Sequence, residues 1–224
     1  AWRDAVRNYM KLHAYGNTVS DDLWRQVEAS AGKPILDIAH DFTLQPGIPL
    51  VEVTSVACND GRTTVQLSQG EFTKDRPGKA PLHWRVPVIA QVAGQATAST
   101  LLDAGQGSIT LAGCGPVLVN AGQSGYFRTL YAPAQVAALR GAYAKLPTID
   151  QIGVLQDTWA LGMTGRQAAS DWLDFAAATP ADAAPELWGE IASGLESLDT
   201  YYAGDAARRA KFRAFAVKLL APVF

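Results

Sequence analysis

In the stretch LVEVTSVACNDGRTTVQL, residues 50–67, apolar and polar side chains alternate on both sides of the tetrapeptide Asn59-Asp60-Gly61-Arg62. An alternation of period two is typical of a half-buried β-strand. An Asp-Gly pair readily adopts the positive φ angles of a two-residue turn, so the stretch predicts a β-hairpin. The hairpin follows Gln45-Pro46-Gly47, and before this tripeptide the apolar residues recur with the period of a helix.

Further short strands are predicted after the hairpin, at regular spacing up to residue 132. Residues 98–111 predict a second hairpin with its turn at residues 103–107, and Pro87 is compatible only with a sheet edge or a bulge. About seven short strands in one segment predict an antiparallel β-sandwich over residues 47–132. The strands lie at residues 50–56, 63–67, 82–92, 98–102, 108–111, 117–119 and 127–131, with a polar loop at residues 73–81.

Three short helices are predicted in residues 1–46, because apolar residues there recur at steps of three and four. Gly16-Asn17 is predicted to stop the first helix in the left-handed conformation, and Gly32 to end the second. Thr18 or Ser20 is predicted to cap the second helix. So few helices have little core of their own, and we expect them to pack against the sheet or against residues missing from this chain. Their main apolar positions are Trp2, Val6, Tyr9, His13, Leu23, Trp24, Val27, Ile35, Ile38 and Phe42.

From Pro133 to the end, the pattern is again helical and predicts a series of helices of similar size. Such a series fits the opening of an α-solenoid, although no residue-level repeat is visible. The predicted fold class is therefore α+β and multi-domain, with a short helical segment, a sandwich and a solenoid-like segment at residues 133–224. The clearest apolar stripe consists of Leu187, Trp188, Ile191, Leu195 and Leu198.

The composition is that of a globular chain, since 48% of its 224 residues are apolar and 18% are charged. This much apolar material supports a buried core and argues against disorder. The formal net charge of −2 offers no basic footprint for a nucleic-acid partner. No apolar stretch is long enough to predict a membrane span.

The two cysteines, Cys58 and Cys114, are too few for a disulfide framework. Both lie in the strand-rich region, where a pair is geometrically possible. Because an unpaired cysteine behaves as a small apolar residue and is usually buried, two buried free thiols are the preferred interpretation.

The sequence carries no recognisable self-contained active site. Zinc hydrolysis on a helix requires H-E-x-x-H, in which two imidazoles one turn apart face one metal, and His13, His40 and His83 do not have that spacing. A serine nucleophile elbow requires G-x-S-x-G, whereas residues 122–125, GQSG, are one residue short and predict a turn. No catalytic or metal-binding residue is therefore predicted, and substrate-binding residues stay undefined.

Two glycine-rich segments and three tryptophans were the remaining candidates for a binding site. A phosphate loop leads into a helix N-terminus, whereas residues 105–107 and 113–116 lie between predicted strands and indicate hairpin or bulge glycines. Trp159, Trp172 and Trp188 are compatible with a ligand groove, but an aromatic stripe at helical spacing more often belongs to a core. Among the many Asp and Glu residues, sequence spacing does not single out the two close carboxylates of a glycosidase.

Several motifs nevertheless occur in an order that resembles that of a known protein family. The first group consists of Tyr9-x-x-x-His13-Ala14-Tyr15-Gly16-Asn17, Asp22-Leu23-Trp24, Ser30-Ala31-Gly32-Lys33-Pro34 and Gln45-Pro46-Gly47-Ile48-Pro49-Leu50-Val51. In this order they resemble the segment that follows the metal motif in zinc-dependent aminopeptidases of the aminopeptidase N type, which are gluzincin metallopeptidases. Phe42 is a departure, because the family has Trp there. Residues 119–131, VNAGQSGYFRTLY, and residues 157–162, DTWALG, resemble later segments of the same family.

The resemblance implies that the chain is a fragment of a zinc metallo-aminopeptidase. Residues 1–46 would be the last helices of a thermolysin-like catalytic domain, residues 47–132 a sandwich, and residues 133–224 the start of a C-terminal helical domain. The zinc motif would lie before Ala1, so zinc is expected in the parent protein and not in this chain. The opening Ala1-Trp2-Arg3-Asp4, without Met or a signal peptide, agrees with a cut end.

The implied partners are peptide substrates of the parent and, within the molecule, the missing catalytic domain. The compartment stays open between the cytoplasm and the periplasm of a bacterium. Two alternatives come from other classes: a non-catalytic protein-interaction module of sandwich plus helices, and a carbohydrate-binding sandwich. The latter would need an exposed aromatic row, whereas Trp84 is the only Trp between residues 47 and 133.

Overall fold

The computed structural model describes residues 1–74 and 82–223, which contain eight α-helices and seven β-strands. The helices are α1 (Trp2–Leu12), α2 (Ser20–Ala31), α3 (Leu36–Thr43), α4 (Pro133–Ala142), α5 (Thr148–Met163), α6 (Ser170–Ala177), α7 (Pro185–Tyr201) and α8 (Ala206–Leu220). The strands are β1 (Ile48–Asn59), β2 (Arg62–Phe72), β3 (Val86–Val92), β4 (Ala98–Leu102), β5 (Gln106–Ala112), β6 (Val117–Val119) and β7 (Arg128–Tyr131). This mixed α+β order agrees with the sequence prediction, and most of the predicted loop at residues 73–81 lies outside the described residues.

The predicted hairpin at residues 50–67 is confirmed. β1 and β2 are antiparallel, and Asn59 lies opposite Arg62 at the turn. Asp60 and Gly61 both have positive φ angles, of 50° and 73°. Two such residues match the right-handed twist of the flanking strands, which is why this local sequence suffices to place the turn.

The strands form two sheets, with the orders β5-β2-β1-β7 and β4-β3-β6. Within the first sheet, β7 runs parallel to β1, and Leu50 pairs with Arg128. The prediction of a purely antiparallel arrangement is therefore wrong at this pair. β7 reaches the free side of β1 from β6 in the other sheet, not through a hairpin, so its direction is not constrained to be antiparallel.

The second predicted hairpin, at residues 98–111, is also wrong. β4 pairs with β3, whereas β5 pairs with β2 in the other sheet. Residues 103–105 carry the chain between the sheets, with Gly105 at φ 76°. This route buries Leu102, and a Cβ at Gly107 would lie 2.9 Å from the Leu102 Cδ1 atom. A side chain at 107 would therefore require the Leu102 side chain to shift.

Pro87 occupies a position of β3 that has no partner strand on one side. It pairs with Leu101 of β4, whereas β6 pairs with β3 only from Ala90 to Val92. Since proline cannot donate a ladder hydrogen bond, it fits here. The expectation of an edge-like position is therefore confirmed, although β3 is the middle strand of its sheet.

The helix ends in residues 1–46 agree only in part with prediction. Gly32 ends α2 in the left-handed conformation, at φ 63°, as expected. After α1, however, the left-handed residue is Tyr15, with φ 62°, and not Gly16 or Asn17. Neither Thr18 nor Ser20 caps α2: the cap residue is Val19, whose N–H donates to the Asp22 carboxylate at 3.0 Å.

The prediction of two buried free thiols is wrong. Cys58 and Cys114 form a disulfide, and both residues are exposed. Their Cα atoms lie 5.6 Å apart, inside the usual range for such a bond. Sequence spacing could not show this, because the contact depends on how the loop after β5 folds across the sheet.

One hydrophobic cluster connects both sheets with the C-terminal helices. The predicted stripe on α7 is part of it, since Leu187, Trp188, Ile191 and Leu195 are all buried. Burial of this kind contributes roughly 1.5–3 kcal/mol for each large apolar side chain. The cluster also contains Val51, Val65, Val86, Val88, Leu139, Leu155, Phe175 and Phe212.

Within the described ranges, no helix combines the length and the apolar character that a membrane span requires.

Gly194 in α7 provides a sensitive test of this packing. A Cβ at Gly194 would lie 2.2 Å from Cζ2 of the buried Trp172 ring, so the ring or the helix would have to shift. We expect Gly194→Ala to lower the free energy of unfolding by roughly 1–3 kcal/mol, the usual cost of overpacking a core. Urea denaturation monitored by circular dichroism measures this change.

Gly189 supplies the matched control, because it lies in the same helix, is exposed and has open space where a Cβ would stand. Gly189→Ala is expected to raise the free energy of unfolding by up to about 1 kcal/mol through helix propensity. Equal effects of the two substitutions would contradict the close packing of Trp172 against Gly194.

Candidate functional site

Large apolar side chains are exposed on α1 and on the residues that connect it to α2, and the first three helices have little core of their own. Their only buried residues are Ala5 and Ala39. Leu23, Trp24 and Val27, predicted to be buried, are only half-buried. We call the following five residues the exposed N-terminal apolar residues: Trp2, Met10, Leu12, Tyr15 and Val19.

Polar contacts hold these helices together. Tyr9 Oη and Thr18 Oγ1 lie 2.7 Å apart, which connects α1 with the residues before α2. The Glu28 carboxylate accepts hydrogen bonds from the N–H groups of Ile35 and Leu36, at 2.7 and 2.9 Å. The hydrogen bond from Leu36, followed by that from Ile35, lowers the pKa of Glu28. The two bonds also give partners to N–H groups at the start of α3 that have none within the helix. These contacts connect α1, α2 and α3 with one another.

Arg85 connects α3 to the sheets. Its Nε atom donates to the Asp41 carboxylate at 2.9 Å, and a second nitrogen lies 2.7 Å from the Asp37 carboxylate. The Arg85 backbone N–H also donates to Asp41, at 2.8 Å. Planar guanidinium groups pair well with carboxylates in this way. Since Arg85 directly precedes β3, these bonds set the orientation of α3 relative to the sheet.

A second polar junction connects β7 with α5. The buried Asp157 carboxylate lies 3.1 Å from an Arg128 guanidinium nitrogen and accepts the Thr129 N–H at 3.0 Å. Burial raises the pKa of Asp157 to about 6, even though the hydrogen bond from Thr129 and the charge of Arg128 act in the opposite direction. We call Arg128, Thr129 and Asp157 the β7–α5 junction.

The turn before β7 is fastened to the same helix. Asn120 adopts φ 63°, and its side-chain oxygen accepts the Gly125 N–H at 2.8 Å. Gly122, at φ 72°, donates its N–H to the Asp150 carboxylate at 2.7 Å. The predicted turn at residues 122–125 is therefore confirmed, and it closes against α5. Glycine adopts this φ at 122 without the strain that a side chain would add.

The three histidines lie on separate elements. The His40 Nε2 atom of α3 is 2.8 Å from Asp21 Oδ1 of α2. The ring of His13, which follows α1, is tilted by 39° against that of Tyr9, with ring centroids 5.3 Å apart. His83 precedes β3, and its carbonyl accepts the Gln45 side-chain N–H at 2.7 Å. Across residues 1–74 and 82–223, no group of three or more His, Cys, Asp or Glu side chains could hold a metal ion.

The three tryptophans do not share one groove. Trp159 and Trp172 meet edge to face, with ring centroids 5.3 Å apart, beside an open groove of about 180 Å³. Trp188 is buried instead and donates its indole N–H to the Pro180 carbonyl. Trp84 is also buried, so it cannot contribute to an exposed aromatic row for carbohydrate.

A different open groove lies beside the β7–α5 junction. It measures about 350 Å³ and is lined by Ile48, Tyr126, Ile149 and Gln156 together with Arg128. The described residues that line this groove form no recognisable catalytic arrangement. Sequence reasoning did not single out either polar junction. Arg128 and Asp157 do fall inside quoted motifs, at residues 119–131 and 157–162, whereas no motif signals Arg85 and Asp41.

Comparison with protein families gives a match in the C-terminal half. Residues 116–224 match the family described as ERAP1-like C-terminal domain. This segment contains β6, β7 and helices α4–α8, and therefore includes the β7–α5 junction.

The chain is also similar to several aminopeptidases. It is 27% identical over 207 residues to puromycin-sensitive aminopeptidase from Caenorhabditis elegans, covering 88% of this chain and 22% of that protein. It is 30% identical over 197 residues to aminopeptidase M1 from Arabidopsis thaliana, covering 79% of this chain and 22% of that protein.

A third relative is the tricorn protease-interacting factor F2 of Thermoplasma acidophilum, which is 25% identical over 197 residues, 88% of this chain and 24% of that protein. The chain thus spans little more than one fifth of the length of these relatives. Together with the family match, these similarities support the aminopeptidase N relationship that the motifs indicate.

Proposed function

We propose that this chain is the non-catalytic spacer and part of the lid region of a zinc metallo-aminopeptidase, which removes N-terminal residues from peptides. One observation carries the proposal: most of the chain aligns with aminopeptidases, yet it corresponds to only about one fifth of their length. The zinc site would then lie in the part of the parent protein that this chain does not include.

The proposed division of the chain rests on the order of its motifs. Residues 1–46 are the last helices of the catalytic domain, residues 47–132 are the sandwich spacer, and residues 133–224 begin the C-terminal helical domain. The exposed N-terminal apolar residues support this division, because a catalytic domain packed on them would remove them from water.

Zinc in the parent would activate a water molecule, with a glutamate as general base. The described side chains form no cluster that fits this ion, so no step of peptide hydrolysis is assigned to them. Their role is positional. Arg85 connects the N-terminal helices with the sheets, and Asp157 connects the sheets with the C-terminal helices. In this way the chain would hold the helical domain over the active site and limit access to it.

The proposal is tested by measuring bound zinc and hydrolysis of aminoacyl chromogenic substrates. We expect neither stoichiometric zinc nor turnover from this chain alone, since the described residues lack a metal cluster. The parent protein, assayed with the same substrates, serves as the positive control. Tight stoichiometric zinc together with turnover in the isolated chain would overturn the proposal.

An interaction module without any peptidase partner domain is the second candidate, and the exposed N-terminal apolar residues favour it equally. The reading frame upstream of Ala1 distinguishes the two. An H-E-x-x-H motif followed by a further glutamate supports the peptidase, because these residues would supply the zinc ligands and the base. A frame that lacks this motif and the further glutamate supports the interaction module.

A further inference from the structure

The only two cysteines of the chain meet at one end of the four-stranded sheet. Cys58 is next to the last residue of β1, and Cys114 lies in the loop after β5, 56 positions further along the chain. β2 lies between β1 and β5 in this sheet, so the bond spans from one strand, past its neighbour, to the loop that follows the edge strand.

Neither cysteine has the surroundings that an unpaired cysteine usually has. Free cysteines are among the most frequently buried residues, whereas Cys58 and Cys114 are both exposed. Two exposed thiols next to each other would be open to oxidation and to reaction with other molecules. The exposure of both residues therefore favours the disulfide-bonded form as the native state of this chain.

The segment that the disulfide holds is otherwise fastened by hydrogen bonds. The Gly113 N–H donates to the Gly61 carbonyl at 2.8 Å, and the buried Thr63 hydroxyl donates to the Gly113 carbonyl at 2.7 Å. Gly61 belongs to the hairpin turn, and β5 is an edge strand of its sheet. The disulfide thus fixes an edge strand and a hairpin tip, two places where sheets tend to open.

We propose that Cys58–Cys114 is a structural disulfide that requires an oxidising compartment, and that its reduction opens this end of the sheet. It forms by thiol–disulfide exchange with an oxidoreductase disulfide. One protein thiolate attacks that disulfide, and the second thiolate then displaces the oxidoreductase. The protein's two thiols lose two electrons and two protons, and the oxidoreductase is reduced to a dithiol. Because the bond is exposed, a cytoplasmic dithiol can reverse both steps. Of the two compartments that the sequence leaves open, this inference selects the periplasm.

The requirement for an oxidising compartment is tested by producing the chain both in the bacterial periplasm and in a reducing cytoplasm. Both samples are denatured without reductant, alkylated with iodoacetamide and weighed as intact chains. We expect no adduct on the periplasmic chain and two adducts on the cytoplasmic chain. Two adducts on the periplasmic chain, or none on the cytoplasmic chain, would overturn the proposal.

The opening of the sheet is tested by hydrogen exchange of the periplasmic chain before and after treatment with dithiothreitol. Peptides that cover residues 54–66 and 107–116 should exchange at least about tenfold faster after reduction, while peptides of α7 stay unchanged. In the variant with both Cys58→Ser and Cys114→Ser, dithiothreitol should have no effect. Unchanged exchange at both segments after reduction would contradict the structural role of the bond.

Discussion

Replacing Trp84 with alanine is expected to lower the free energy of unfolding by about 3–5 kcal/mol, the usual loss for a buried tryptophan. Only 2% of Trp84 is exposed, and it is the largest side chain of the fully buried set. Its ring lies against Gly47, where a Cβ would stand 3.3 Å from two ring carbons. Because Gly47 directly precedes β1, Trp84 packs where the N-terminal helices enter the sheets. Urea denaturation monitored by fluorescence or circular dichroism measures the loss.

Trp2 provides the matched control, since it is 57% exposed and lies in α1. Trp2→Ala is expected to change the free energy of unfolding of this chain by less than about 1 kcal/mol, as for most surface positions. A loss of comparable size at both positions would contradict the conclusion that Trp84 belongs to the stabilising core and Trp2 does not.

The second large expected effect is a pH dependence of the free energy of unfolding, which arises from Asp157. Its pKa is raised to about 6 in the folded chain by burial, compared with 3.8 for an ordinary Asp. The folded state therefore binds this proton more tightly than the unfolded state. The stabilisation from the bound proton is fully present below about pH 4 and is lost as the pH rises through about 6. A difference of about two pH units corresponds to roughly 3 kcal/mol.

The measurement compares the wild type with Asp157→Asn at several pH values between 4 and 7. The amide cannot titrate, so the variant lacks this contribution. We expect the free energy of unfolding of the variant, relative to wild type, to rise by roughly 2–3 kcal/mol across that range. Asp103→Asn, at an exposed loop position, controls for the removal of one acidic side chain. If the difference between the Asp157 variant and the wild type is the same at every pH, the buried carboxylate does not titrate as described.

Local features of the fold are well predicted from the sequence. The turn Asn59–Arg62, the strand alternation around it and the end of α2 at Gly32 all depend on residues that are neighbours in the chain. The apolar stripe of α7 is equally local, because a helix places residues three and four apart on one face. Such features require only a short stretch of chain, so their pattern is visible without knowledge of the partner elements.

The candidate junctions are less visible in the sequence. Arg128 and Asp157 occur in motifs that resemble the aminopeptidase family, but spacing alone does not show that they form an ion pair. Arg85 and Asp41 lie 44 positions apart and meet only after α3 has packed against the start of β3. A charged side chain gives no sign of its partner until the elements that carry the two groups are placed.

Periodicity and turn chemistry therefore determined the helices, most strands and the first hairpin. Tertiary structure decided which strands are neighbours. β5 pairs with β2 and not with β4, and β7 pairs with β1 in parallel. It also brought the two cysteines together and raised the pKa of Asp157. The physical reason is common to all four. Each depends on which sheet edges stay unpaired and which surfaces are buried, and both properties arise from the assembled chain, not from any short segment of it.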